Sequence, residues 1–500
     1  MKYIRVIILL IASSKLIAQT PSQEFIRGAD ISFTQQIEFR GGKYKLNGVE
    51  KEILDILQEN GANYIRLRLW HTPSNGYNSL SKTLQFAQRI KSKGLKFLLD
   101  FHYSDTWADP SNQTKPYAWR NLPFENLKDS VYEYTKRVIT LMKNQNTLPD
   151  IVQIGNEVAG GMLWPDGKLY GAGNETVQWD KFSELVKEGV RGVRDAADTS
   201  SVKIMIHIEK GGDYSGSVYF FDRLTARNVE FDIIGLSYYP WYHGSLSQLQ
   251  SNLNSLAVRY QKEIVVVETA YPWTLDFKDN TNNIVGLDSQ LLPGYPATEE
   301  GQKNFLTQIK NIVKQTTNNK GLGFFYWEPG YISLSNFGSS WENCALFDFS
   351  NEATDAIMVF NDSTGTSVDD DISQVPTEFY LYQNYPNPFN PSTTIEYSIT
   401  NVETTRRVVF TTLKVFDILG REVATLVNEY QQPGKYSVVF NVETRHQPRR
   451  DRVSTGGESL PSGVSAKGGY ASGVYFYTLM IRDTSLRSVF YKTKKMLLIK

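Results

Sequence analysis

A chain of 500 residues is too long for one ordinary core, so a large domain with a smaller companion is expected. Lys and Arg together number 53, as do Asp and Glu, and this balance excludes the basic excess of a nucleic-acid binder. The single cysteine, Cys344, excludes an internal disulfide and leaves the redox compartment open.

The chain opens with MKYIRVIILLIASSKLIAQT. Lys2 and Arg5 precede the apolar run from Val6 to Ala12, and Ala18 offers a small residue for cleavage. The run is too short to cross a bilayer, so residues 1–18 read as a secretory signal peptide and the mature chain as exported. No other segment is long and apolar enough for a transmembrane helix.

Eight short apolar runs follow: FIRGADIS from Phe25, NYIRLRLW from Asn63, KFLLDFHY from Lys96, DIVQIGNE from Asp150, KIMIHIEK from Lys203, FDIIGLSYYP from Phe231, EIVVVETAY from Glu263 and GLGFFYWEP from Gly321. Amphipathic stretches of helical period separate most of them, among them VEKEILDILQENG, SLSKTLQFAQRIKSKG and TEEGQKNFLTQIKNIVKQTTN. Eight strand–helix alternations predict a (β/α)8 TIM barrel over residues 24–360. A doubly wound open sheet would carry a Gly-rich phosphate turn after its first strand; GADIS and RGGKYKLNG lack that spacing.

A barrel gathers its active groups at the C-terminal ends of the strands. The residues found there are Asp30, Arg66 and Arg68, His102, Asn156 and Glu157, His207 and Glu209, Tyr238 and Tyr239, Glu268, and Trp327 and Glu328. Glu157 and Glu268 stand out as carboxylates ending apolar strands four and seven. Breaking a glycosidic bond needs a proton for the leaving oxygen and a nucleophile or activated water at the anomeric carbon. Two carboxyls do both jobs when their surroundings push their pKa values apart. In this reading Arg66 holds Glu268 ionised, Tyr238 donates a hydrogen bond to it, and Asn156 binds a ring hydroxyl beside the reacting carbon. A lone glutamate at a strand end is more often a salt-bridge member, but the pair, with Asn before the first, favours catalysis. His102 is read equally as a buried structural histidine or a substrate contact. Asp30, His207 and Glu209 are cleft residues without a role. Trp327 is expected as a sugar platform, with a core tryptophan as the alternative, in a chain whose aromatic content is 13%.

The motifs RLRLWHTP, DFHYSDTWADPSNQTKPYAW, IGNEVAGGMLWPDGK, GLSYYPWYHG and VVVETAYPWT together resemble glycoside hydrolase family 53, the endo-β-1,4-galactanases that cut type I (arabino)galactan side chains of pectin. The resemblance covers about residues 25 to 350. It implies a retaining mechanism with Glu157 as acid/base, Glu268 as nucleophile and no required cofactor. It also raises a calcium ion between late loops, for which LDFKDNTNNIVGLDSQ offers Asp276, Asp279, Asn280, Asn282 and Asp288. The spacing is not that of an EF-hand, an acidic solvated loop is the stronger reading, and the loop after strand eight reads as short.

Residues 361–378 are a polar, acidic linker, and residues 379–500 alternate as a small β-sandwich. YLYQNYPNPFNPSTTIEYSI, SGVYFYTLMI and the basic terminus KTKKMLLIK are similar to the sorting domain of the type IX secretion system, which implies that machinery as a partner and export through the periplasm to the medium or the cell surface. A carbohydrate-binding module is the weaker alternative. The segment 442–470 interrupts a turn and is expected to be a disordered insertion. The expected protein is thus a monomeric, secreted, retaining endo-β-1,4-galactanase. A clan-related mannanase or cellulase, and a non-catalytic surface glycan-binding protein, are the alternatives.

Overall fold

The structure is a computed structural model that describes residues 24–171, 173–197, 201–361, 379–400, 409–431, 434–442, 471–482 and 488–499. The signal peptide and the 443–470 part of the expected insertion lie outside these residues, as does the linker beyond Asn361. The chain divides into two compact units, Met1–Asp362 and Ser363–Lys500.

In the first unit eight parallel strands close a barrel: β1 (Ile26–Asp30), β2 (Tyr64–Leu69), β3 (Lys96–Phe101), β4 (Ile151–Ile154), β5 (Lys203–Ile208), β6 (Ile233–Ser237), β7 (Glu263–Thr269) and β8 (Gly321–Trp327). Helices α1 (Ile53–Glu59), α2 (Leu80–Ser92), α3 (Phe124–Asn144), α4 (Glu175–Ala197), α5 (Tyr214–Thr225), α6 (Leu246–Tyr260) and α7 (Glu299–Lys314) follow the first seven strands. A 3-10 turn, Asp355–Phe360, follows the eighth. The expected TIM barrel is therefore the fold. The helical stretch read from Val49 begins instead at Ile53, because Tyr44–Leu46 and Val49–Lys51 pair as a hairpin around Asn47 and Gly48. Both turn residues have positive φ, which favours a reversal over a helix start.

The strands are buried on both faces, as their near-continuous apolar runs require. Side chains two apart on a strand share a face. Ile26, Tyr64, Leu98, Ile151, Met205 and Phe325 form an apolar plug inside the barrel. Two or four residues further along the same faces stand Asp30, Arg66 and Arg68, Asp100, Gln153 and His207, all buried. The apolar plug thus gives way to a polar floor beneath the βα loops.

The β1–β8 seam depends on two glycines. A Cβ on Gly28 would lie 2.2 Å from the Phe325 ring. Gly323 has φ of +151°, and a Cβ there would lie 2.3 Å from the Ile26 carbonyl oxygen. Outside, α6 starts with a capping box in which Ser245 and Gln248 satisfy each other's backbone N–H groups.

The second unit is all-β: β9 (Tyr380–Leu381), β10 (Ser392–Ile399), β11 (Val409–Phe416), β12 (Glu422–Gln431), β13 (Gly434–Asn441), β14 (Gly473–Arg482) and β15 (Ser488–Leu498). They form two sheets, ordered β9-β10-β13 and β12-β11-β14-β15. Ile395 and Tyr397 from the first sheet and Leu413, Val415, Tyr477 and Leu479 from the second share one core. Their alternation along the strands is what a two-layer sandwich requires.

Candidate active site

The end of β4 departs from strand geometry within three residues. Gly155 has φ of 78° and Glu157 φ of 48°, both left-handed. A regular strand would send Asn156 and Glu157 to opposite faces; the two left-handed residues turn both toward the barrel mouth. There they line a cleft of about 580 Å³ with Glu268, Arg66, Arg68, Trp107, Glu209 and Trp327 among its walls.

Arg66 organises the floor. Its Nη1 donates to Asp30 Oδ2 and to Glu268 Oε1, each at 2.8 Å. Its Nη2 donates to Asp100 Oδ2 at 2.8 Å and to Asn156 Oδ1 at 2.9 Å. Burial acts to lower the Arg66 pKa, but Asp100, Glu268 and Asp30 outweigh it and raise the value, keeping the guanidinium charged. Glu268 receives a second hydrogen bond, from the Tyr239 hydroxyl to Oε2 at 3.0 Å. Burial pushes the Glu268 carboxyl up, Arg66 pulls it down, and Asp30 and Asp100 add to the rise.

Glu157 has no such cation in contact. Burial and the facing Glu268 carboxylate drive its pKa well above the ordinary carboxyl value, with a further push from Glu209. Its Oε1 lies 2.7 Å from Ser237 Oγ. The two carboxyls therefore sit in one cleft with unlike surroundings: Glu268 is held by a cation and a phenol, and Glu157 is half-buried beside negative charge.

The tyrosine expectation needs correction. The Tyr238 hydroxyl donates to the Gly244 carbonyl at 2.7 Å rather than to the Glu268 carboxylate, and the residue meets Glu268 through its backbone N–H, which donates to the Glu268 carbonyl at 2.8 Å. Ser237 faces Glu157, so strand alternation turns Tyr238 out and returns Tyr239 to the cleft. That parity was readable in GLSYYP once one inward residue was known.

His102 lines the cleft with both ring nitrogens engaged by protein. Nδ1 accepts from the Ala108 N–H at 3.1 Å and from Trp70 Nε1 at 3.3 Å, so Nε2 carries the hydrogen and donates to Asp100 Oδ2 at 3.1 Å. This geometry gives the ring a structural place. Trp327 packs edge-on against Trp341, with centroids 4.6 Å apart, and lies 6.1 Å from Trp107. The three indoles wall one side of the cleft. Arg68 sits over the Phe33 and Trp107 rings, 4.3 Å from each centroid, and pairs with Glu328 at 2.8 Å.

Asp100, Gln153, Ser237, Trp107 and Trp341 were not singled out from sequence, and Tyr239 was placed at a strand end without a role. Asp100 and Gln153 carried a signal: each is a polar residue on the inward face of an otherwise apolar strand. Trp107 and Trp341 come from loops, where no periodicity marks direction.

Of the calcium candidates, Asp279 is engaged by neighbouring loops. Asp279 Oδ2 accepts from Ser333 Oγ at 2.7 Å and from the Ser339 N–H at 2.8 Å, and its Oδ1 accepts from the Thr281 N–H at 2.5 Å. Asp276 and Asn282 are exposed. Asp279 thus ties its loop to the segment after β8. That segment, residues 328–354, is not the short connection expected; it supplies Ser333, Ser339 and Trp341. Among the described residues no cluster of His, Cys, Asp and Glu suits a metal, and no helix is long and apolar enough to cross a membrane.

A closed parallel barrel with two carboxyls facing one cleft at the mouths of β4 and β7 is the architecture of a barrel glycoside hydrolase. The model of glycosyl hydrolase family 53 matches residues 26–360, and the chain belongs to that family. Arabinogalactan endo-beta-1,4-galactanase A of Aspergillus niger is 36% identical over 67% of this chain and 94% of its own length. A Niallia circulans protein from the bgaB 5′ region is 48% identical over 65% of this chain and 91% of its own. Among solved structures, the Ignisphaera aggregans GH53 catalytic domain has 40% identity and a TM-score of 0.63, covering 69% of this chain and 97% of that one.

Proposed function

We propose that this protein is a secreted, retaining endo-β-1,4-galactanase that cuts type I (arabino)galactan side chains of pectin. The observation carrying the reading is the unlike setting of the two carboxyls. Glu268, gripped by Arg66 and Tyr239, is the group suited to stay ionised and attack the anomeric carbon. Glu157, raised by burial and by Glu268, is suited to hold a proton and deliver it to the leaving glycosyl oxygen. Water then enters with Glu157 as base and releases the sugar from Glu268. A separation of ~5–5.5 Å between reacting carboxyl oxygens would accompany this chemistry. Asn156 keeps one amide hydrogen on the Ala108 carbonyl and directs the other toward a ring hydroxyl. Trp327 supplies a flat apolar wall for a sugar ring. No cofactor enters these steps. The galactan specificity rests on the similarity to proteins named as endo-β-1,4-galactanases.

Reducing-sugar release from linear β-1,4-galactan tests the reading. The wild type is expected to release short galacto-oligosaccharides, with Glu157→Gln and Glu268→Gln each losing about three orders of magnitude or more. Cleavage of mannan or cellulose instead would keep the machinery and change the substrate. Binding without cleavage, unaffected by either substitution, would favour a glycan-binding protein.

The C-terminal unit is proposed as a type IX sorting domain, supported by its YPNPFNPSTTI motif and its own core. Deleting residues 379–500 in the native cell is expected to leave the enzyme in the periplasm; export without them would remove this assignment.

A further inference from the structure

Behind Glu157 runs a chain of buried polar groups that the chemistry above does not use. Ser237 ends β6 and His207 lies near the end of β5; neither is exposed to solvent. Ser237 Oγ is 2.7 Å from Glu157 Oε1 and 2.8 Å from His207 Nε2. His207 Nδ1 is 2.9 Å from Asn156 Oδ1.

For a neutral histidine the donor and acceptor order along this chain turns on one neighbour. Gln153 Nε2, 3.1 Å from His207 Nδ1, has its two hydrogens on Asp100 Oδ1 at 2.6 Å and the Gly155 carbonyl at 3.0 Å, so Nδ1 does not have to accept from it. Asn156 Nδ2 faces the Ala108 carbonyl at 2.9 Å, and Asn156 Oδ1 faces Arg66 Nη2 at 2.9 Å, so Oδ1 is an acceptor. His207 Nδ1 at 2.9 Å from that oxygen must therefore carry a hydrogen, or two lone pairs would face each other. A neutral ring has only one N–H, so Nε2 is bare and takes the Ser237 hydroxyl hydrogen. Ser237 Oγ then offers Glu157 only lone pairs. The hydrogen in that contact belongs to Glu157.

We propose that Ser237 and His207 are positioning residues that hold Glu157 protonated in the resting enzyme, through the ordered chain Glu157 O–H to Ser237 Oγ, Ser237 O–H to His207 Nε2, and His207 Nδ1–H to Asn156 Oδ1. The proposal rests on Glu157 being the acid/base. The proton that reaches the leaving oxygen comes from Glu157 alone; Ser237 and His207 keep their own hydrogens. While the Ser237 hydrogen stays on His207 Nε2, an ionised Glu157 meets only lone pairs from Ser237, so this order favours the protonated carboxyl. The charged and titratable groups facing this chain fit that order. Glu268 on β7, Glu209 after β5 and Arg66 on β2 face Glu157. Burial, with Arg66, His102 on the loop after β3 and His243 after β6, holds His207 well below its ordinary value and therefore neutral.

Two measurements on the full chain decide it. Histidine nitrogen NMR is expected to show His207 with Nδ1 protonated and Nε2 bare from about pH 5 to 8, the signal being assigned by its displacement in Ser237→Ala. A protonated Nε2 would overturn the proposal. In the pH profile of kcat/KM on galactan, Ser237→Ala is expected to move the basic limb down by about one unit, the worth of one hydrogen bond to the protonated acid, while Ser237→Thr keeps the wild-type limb. A basic limb that stays in place in Ser237→Ala would also overturn it. If galactan is not cleaved at all, the functional reading fails, and the nitrogen spectrum still decides the hydrogen-bond order.

Discussion

Glu268 gains its partners from β2 and from the residues just after β6, and each can be removed without disturbing the other. Tyr239→Phe deletes the hydrogen bond to Oε2 while leaving Arg66 in place. A donor to a reacting carboxylate matters most as charge moves, so kcat on galactan is expected to fall by about tenfold or more. Tyr238→Phe removes the bond to the Gly244 carbonyl and should leave kcat within about twofold, at a stability cost of about 1 kcal/mol. Steady-state kinetics on the two variants, side by side, separates the tyrosines; equal losses would contradict the geometry. Sequence reading placed the carboxyl pair and Arg66 together but chose the wrong neighbour of the two tyrosines. The order of side chains around the β6 end depends on which residue faces inward, and β6 shifts register against β7 between Leu236 and Ser237. Such a bulge leaves no mark in a run of apolar letters. Ser237 was invisible for the same reason: a serine beside two tyrosines has no motif, only a position.

At the scale of elements, the eight barrel strands were legible because strands buried on both faces are written as apolar runs with helical period between them. What the letters did not carry was the packing at the closing seam. That depends on β1 and β8 approaching each other where Gly28 and Gly323 leave room for Phe325 and for the Ile26 backbone. Gly323→Ala would force a Cβ into the Ile26 carbonyl at a φ that L side chains rarely adopt. A loss of about 2 kcal/mol or more in urea-unfolding stability is expected, well above a typical surface substitution. A midpoint unchanged from wild type would show that the seam relaxes freely. The hairpin before α1 and the 328–354 segment were misjudged because loop conformation follows from tertiary partners, such as Asp279 with Ser333 and Ser339. Periodicity is silent on those.

Over the whole molecule, the barrel and the sandwich each have a core of their own, as the change in composition past Asn361 foreshadowed. The barrel also carries a buried carboxyl outside the reacting pair. Glu328, paired with Arg68, is pushed by burial from 4.5 up to about 8. Its folded value lies above its unfolded one, so the native state binds the extra proton between those limits. The stability it contributes is complete below about pH 4.5 and is lost as pH rises toward 8. Glu328→Gln mimics the protonated group and has no such dependence. Scanning calorimetry is therefore expected to show the melting temperature of Glu328→Gln gaining on wild type between pH 5 and pH 8, and a constant difference would contradict that linkage.

The proposed double displacement on β-1,4-galactan by two carboxyls is read most directly by time-resolved proton NMR of a linear galactan digest. The anomeric signal of the new reducing end is expected to appear first as the β form and then to mutarotate, the signature of Glu268 attack followed by water. An α anomer appearing first, or no new reducing end at all, would contradict it.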